Sequence, residues 1–235
     1  MAVEHDYKLL QNGEIRLIRE TNDKSDTLYS TNEVGQVTSE SNSITISKNS
    51  SKETSIIGKL STGSSIGGKQ GMDLVGLPKG IAMGYTNDVN EAVGVFNFLN
   101  ANTSSNIEFG LMKFQQNGNS NNYLIGTENT FDNLDKTFSA MINKIGGYDN
   151  MIAFYHNHDG YNGAHPIEVG NQWGTDQATR RKVHASTLKS SSMLSRFFTV
   201  HEGLGNRLIE LNRFGTSNAG AFTPGSVGNI NKINY

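Results

Sequence analysis

The chain contains no cysteine, which excludes disulfides and thiolate chemistry and leaves the redox compartment open. Charge of either sign is scarcely in excess. Twenty basic against twenty-two acidic side chains give a formal −2, which supports bulk attraction neither to nucleic acid nor to an anionic membrane. No run approaches the ~18 consecutive apolar residues of a membrane helix. The opening MAVEHDYKLL lacks the basic and then apolar pattern of a signal peptide. A soluble protein without membrane insertion is expected, dependent on another module if it leaves its cell. Hydrophobic residues are only 35 %, while 26 glycines and many Ser, Thr and Asn predict long polar connections. At 235 residues the chain still suffices for a full core plus an appendage.

Read in order, YKLL and IRLIRE flank Gln11-Asn12-Gly13-Glu14, an Asn-Gly hairpin signal, and residues 26–29 and 43–46 make a weaker second pair. Residues 1–50 are therefore expected to form a β-rich N-terminal appendage. Residues 51–79 read as a Gly/Ser-rich linker. Gly63, Gly68 and Lys69 approach a phosphate loop, but Gln70 stands where Ser or Thr should hold magnesium. A globular domain is expected over 80–214. Asp88 and Glu91 predict a capping box for a helix bearing Val89, Ala92, Val93, Phe96 and Leu99. A strand over 106–114 follows, with Ile107, Phe109 and Leu111 on one face and Glu108, Met112 and Phe114 on the other. After a polar loop and a return strand comes a helix over 131–147, capped by Asp132 or Asn133 and ended by Gly146-Gly147. A strand over 149–156, a loop over 159–174, a helix over 176–188 and a hairpin over 196–211 complete an α+β pattern, a mixed sheet flanked by helices. Residues 215–235 read as a polar C-terminal tail, loosely packed unless it crosses the domain.

The chemistry concentrates in MIAFYHNHDG, residues 151–160. Strand alternation places Ile152, Phe154, His156 and His158 on one face, so two of only six histidines would leave a rigid strand end together as a metal pair. The alternative is two polar residues where a strand gives way to a loop. A third ligand is expected from Asp176, with Asp159 and His165 as competitors. Asp176 would otherwise cap its helix or pair with Arg180. Glu108 stands in a strand suited to burial, so it is either the exposed side of a half-buried strand or a general base near the metal.

Glu108 in IEFG after an amphipathic helix, then His156-Asn157-His158 at a strand end, then Asp176, is similar to the JAB/MPN metalloprotease fold. With the opening DYKLLQNGEIRLIRETND, the chain resembles the JAB-like toxins associated with bacterial Rhs-type polymorphic toxins. That family's pattern is an upstream glutamate, His-x-His-Pro and Ser-x-x-Asp. The resemblance implies Zn2+ held by His156, His158 and Asp176, with Glu108 as the proton-transferring catalytic residue. The implied activity is hydrolysis of a peptide or isopeptide bond in a polypeptide substrate. It also implies an immunity protein and a secretion or carrier module, with production in the bacterial cytoplasm and specialised export. Asp159 replaces the motif proline, Trp173 stands where the motif has serine, and the loop before Asp176 is long. Thr175 is the substitute hydroxyl, and Trp173 an aromatic substrate contact or the plug of its loop.

Two other functions fit some of the same residues. A metal-dependent nuclease toxin would use His156, His158, Asp176 and the run Arg180-Arg181-Lys182, which otherwise makes a solvated helix face. A catalytically inactive peptide-binding or structural domain would need no convergence of the four proposed site residues.

Overall fold

The computed structural model describes residues 4–21, 24–48, 54–63, 80–104, 107–115, 120–129, 134–158, 180–181, 183–186, 193–201, 207–212 and 215–234. Four N-terminal strands, β1 (Glu4–Leu9), β2 (Ile15–Thr21), β3 (Ser25–Ser30) and β4 (Ser43–Ser47), form a sheet of order β2-β1-β3-β4. The two expected pairs, β1–β2 and β3–β4, are antiparallel hairpins or returns, and they are joined by parallel pairing of β1 with β3. The turn between β1 and β2 needs Gly13, whose φ is +82°. Tyr7, Leu9, Ile15, Leu28 and Ile46 form the buried face, which packs into the core of the main domain.

Within the stretch read as a linker, α1 (Ile56–Gly63) buries Ile56, Ile57 and Leu60. Three apolar side chains among Ser, Gly and Thr gave no clear helical stripe in the sequence. Their burial supplies the missing stability, and the Ser55 hydroxyl caps the helix by accepting from Gly58 N–H at 3.1 Å.

The main sheet runs β12-β11-β10-β8-β6-β7-β5. Its strands are β5 (Ala82–Thr86), β6 (Gly110–Gln115), β7 (Asn121–Thr127), β8 (Met151–His158), β10 (Arg196–His201), β11 (Arg207–Asn212) and β12 (Gly215–Ala221). Among the described strands of this sheet β8 and β10 pair in parallel and the other neighbours are antiparallel. The architecture is α+β, two mixed sheets flanked by helices, with the N-terminal sheet distinct from the larger one.

Helix α2 (Val89–Ala101) covers one face. Asp88 caps it as expected, accepting from Asn90 N–H at 2.7 Å and Glu91 N–H at 3.3 Å. The Glu91 carboxylate accepts from Thr86 Oγ at 2.7 Å, while Thr86 Oγ accepts Asp88 N–H, so a threonine relays the expected box. Helix α3 (Asp135–Ile145) covers the other face and ends at Gly146, φ +84°, as its sequence indicates. Its start differs. Leu134 is the N-cap and makes no side-chain bond; Glu128, at the end of β7, accepts Thr137 N–H at 2.8 Å. Asp132 and Asn133 lie outside the described residues.

The residues after 214 lie across the domain. β12 extends the sheet, and α4 (Pro224–Asn229) buries Val227 beside Phe222 and Phe96. The segment closes with β13 (Ile233–Asn234) on β9 (Met193–Leu194). At the centre of the sheet Lys113 is fully buried, its ammonium donating to the carbonyls of Val227, Gly228 and Ile230 at 3.3, 2.7 and 2.5 Å. A helix C-terminus carries partial negative charge, so these oxygens offset part of the cost of burying the cation.

Candidate functional site

The amino end of β6 lies beside the carboxyl end of β8. Strand β6 begins at Gly110, later than the expected strand over 106–114, because the ladder changes partner there. Gly110 pairs with His156, and Asn157 N–H donates to Phe109 O at 3.3 Å. A regular ladder would return a bond from Phe109 N–H to the Asn157 carbonyl. Phe109 N–H donates instead to the Asn157 side-chain oxygen at 2.5 Å, and Asn157 Nδ2 donates to Ile107 O at 2.9 Å. A side chain thus substitutes for the backbone where the strands part.

Alternation from Gly110 gives Glu108 the same sheet face as His156. A Cβ on Gly110 would stand 2.9 Å from the Phe154 ring, and the His156 imidazole stacks on that same ring at 5.8 Å and 22°. His156 is 6 % exposed and Glu108 half-buried. Ile152 departs from the expected face. A register shift opposite Lys113 and Phe114 inserts an extra residue, leaving Met151 and Phe154 in the α3-side core and Ile152 in the α2-side core.

Two further features support the Glu108 segment. Thr127 Oγ donates to Glu108 O at 2.8 Å. The β1–β2 turn presses on the flanking residues, since a Cβ on Gly13 would meet Asn129 Oδ1 and an Ile107 methyl, each at 2.9 Å. Asn129 adopts φ +50°, and neither of its buried side-chain polar atoms has a hydrogen-bond partner among the described residues. Ser104 N–H donates to Gln11 O at 2.8 Å, tying the hairpin to the end of α2.

Residues 180–181 and 183–186 are helical. His184, buried, accepts from Arg180 through Nδ1 at 3.1 Å and so donates through Nε2 to Ser195 O at 2.9 Å. Ser195 Oγ donates to Met151 O at 2.7 Å, which ties this helix to the amino end of β8. Burial, followed by the nearby Arg180 charge, lowers the His184 pKa against the opposing bond to Ser195. Arg180 is buried and Arg181 exposed, so the first member of the basic run does not belong to a solvated face.

Of the residues expected at the site, Glu108 and His156 share a face. The backbone of His158 continues β8 opposite His201; its side chain, with Asp159, His165, Trp173, Thr175 and Asp176, lies outside the described residues. Among the described residues no group of three or more His, Asp or Glu is arranged to hold a metal. None of the described helices is long and apolar enough to cross a membrane. Sequence reasoning missed Asn157, Thr127 and Glu128. The signal for Asn157 was in plain view, an amide between two histidines at a strand end.

A polar cleft of about 270 Å³ lies among β4, α1 and the β5–α2 junction. It includes Asn122, at the opposite end of β7 from the Glu108–Thr127 contact. Its charged walls are engaged internally, Lys48 with Asp26 at 2.6 Å and Lys59 over the Tyr85 ring at 3.5 Å.

Residues 84–183 match the family model described as JAB-like toxin 1, so that stretch of the chain is similar to that family. No curated protein and no solved structure matches the chain.

Proposed function

We propose that the chain, similar to the JAB-like toxins over residues 84–183, is a toxin effector that acts on polypeptide as a zinc-dependent peptide or isopeptide hydrolase. What supports this reading is the pairing of Gly110 with His156 where the two strands end, from which strand alternation gives Glu108 the face of His156. The two side chains fit their parts. His156 is an imidazole on a rigid strand, steadied against Phe154, and Glu108 is a half-buried carboxylate of the type that serves in proton transfer. His158 and Asp176 would complete the ligand set. When bound, zinc would supply a Lewis acid for water and the scissile carbonyl. Glu108 would take a proton from the attacking water and return it to the leaving amine. Trp173 and Thr175 would contact substrate or the developing oxyanion. This reading also requires an immunity protein in the producing cell and a secretion or carrier module for export from the bacterial cytoplasm.

A second reading is a domain of the same family that binds polypeptide without cleaving it. The described residues taken alone lean this way, since they assemble no group of three ligands and Trp173 occupies the motif-serine position. What it leaves unexplained is a half-buried carboxylate to which strand alternation gives the sheet face of His156. The nuclease has less support, because Arg180 is buried against His184.

Metal analysis after zinc loading, paired with cleavage assays on polypeptide and nucleic acid, separates the three. The expected result is stoichiometric zinc, lost when His156 and His158 are both replaced by alanine. Glu108→Gln should retain zinc and lose all but a residual rate of polypeptide cleavage. A folded protein that stays empty, or native turnover in Glu108→Gln, overturns the hydrolase. Polypeptide capture by a metal-free, inactive protein selects the second reading.

A further inference from the structure

We infer that Asn157 is a positioning residue for Glu108: its side-chain amide clamps the two peptide groups that flank the glutamate and so fixes where the carboxylate stands relative to β8. The inference rests on the hydrolase reading for its catalytic consequence, but its geometry is independent of any metal.

The two peptide groups that set the Glu108 backbone are those joining it to Ile107 and to Phe109. Asn157 donates through Nδ2 to the carbonyl of the first, at 2.9 Å, and accepts through Oδ1 from the N–H of the second, at 2.5 Å. One planar group thus holds both ends of a single residue, while the Asn157 backbone N–H adds a third bond to Phe109 O. The amide is 7 % exposed, so water competes poorly for either bond. Thr127 holds the Glu108 carbonyl from the β7 side. The glutamate is therefore braced from both neighbouring strands although it lies outside the regular ladder.

The chemistry of the clamp selects the residue type. Aspartate offers no donor for Ile107 O and would place a negative charge beside that carbonyl. Serine is too short to span both peptide groups, and glutamine adds a methylene that displaces the amide. Strand alternation gives His156 and Asn157 opposite sides of β8, so the imidazole and the clamp need not compete for space. Position 157 thus ties Glu108 to the same strand that carries the two histidines. A misplacement of about 1 Å in such a group costs on the order of a hundredfold in rate.

The test compares native protein, Asn157→Ser, Asn157→Gln and Glu108→Gln, with and without Asn157→Ser in the last. Hydrogen exchange at the Phe109 amide needs neither zinc nor activity. Protection there should fall about tenfold or more in Asn157→Ser, the loss of one hydrogen bond, with the remaining β6 amides unchanged. In the zinc-loaded proteins Asn157→Ser should lower kcat about a hundredfold with KM and zinc content retained. The loss should vanish in the Glu108→Gln background, because a residue acting only through Glu108 has nothing further to lose there. Asn157→Gln should not restore kcat. Unchanged Phe109 protection, or an equal further loss on top of Glu108→Gln, overturns the inference. Lowered protection in Asn157→Ser, together with a native protein that binds zinc and cleaves nothing, overturns the hydrolase reading and leaves the clamp without a catalytic role.

Discussion

Tyr155 stacks on Phe198 with ring centroids 5.0 Å apart and planes within 11° of parallel, and its hydroxyl, deep in the core, has no hydrogen-bond partner among the described residues. Burial raises the pKa of this phenol far above its ordinary value, and the Arg196 charge opposes the shift. The stacking surface belongs to the ring; the hydroxyl contributes only a desolvation cost. Tyr155→Phe should stabilise the protein by about 1 kcal/mol, raising Tm by about 2–4 °C. A drop in the urea midpoint would mean that the hydroxyl has a partner.

Two glycines should respond in opposite directions to alanine. At Gly84 in β5 the added Cβ would stand 2.5 Å from the Ile56 backbone carbonyl and 2.9 Å from Leu60, so α1 must move off the strand. The expected cost is about 2–3 kcal/mol. At Gly94 in α2 the nearest atom is the far methyl of Ile44 at 3.3 Å. Helical preference should then give a gain of about 0.5–1 kcal/mol. Equal effects in denaturant titrations would contradict the close packing of α1 on β5.

Lys113 gives stability an alkaline signature. Burial pushes its ammonium from the ordinary 10.5 down to about 8, while the carbonyls at the end of α4 keep the charged form present at neutral pH. The unfolded chain therefore holds this proton more tightly than the folded one between pH 8 and 10.5. The Lys113 contribution should make the protein more stable as pH rises through that window. Lys113→Met should remove the rise, read as the difference in urea midpoint between two pH values inside it. A midpoint difference unchanged by the substitution would assign the slope elsewhere.

His184 gives the complementary acid response. Its folded pKa lies below the ordinary 6.5, so on acidification the unfolded chain binds the proton first. Stability should fall as pH drops through 6.5, as the folded imidazole resists protonation between Arg180 and Ser195. His184→Gln should shallow that fall even if it lowers stability at neutral pH. An identical acid profile in the variant would exclude His184 as its source.

What was legible in the sequence follows periodicity. Phe138, Met141 and Ile145 announced α3, Asp88 announced α2, and the Asn-Gly pair announced the β1–β2 turn. Glu108 and His156 stood out as candidates because a carboxylate and an imidazole are conspicuous in apolar strands. Periodicity failed where tertiary contacts decide. Ile56, Ile57 and Leu60 are too few to mark a helix without the strand they cover, and GTSNAGA over 215–221 pairs through its backbone rather than its side chains. The extra residue that turns Ile152 away depends on register with β6, which no local pattern encodes. Lys113 in a strand suggests solvent until the carbonyls of residues 227–230 are known to arrive. Asn157 was overlooked because its partners are peptide groups some fifty residues away in the chain.

The cradle around Lys113 sets an order for the birth of the protein. Strand β6 can emerge from the ribosome and find β7 and β8 long before residue 230 is translated, yet its central cation then faces an unfilled hollow. Only when the helix at 224–229 is free of the exit tunnel can its carbonyls meet the ammonium and Phe222 reach Phe96. A ribosome stalled short of that point would display a domain with an open heart, and closure would wait for residues 224–230 rather than accompany the emergence of β6.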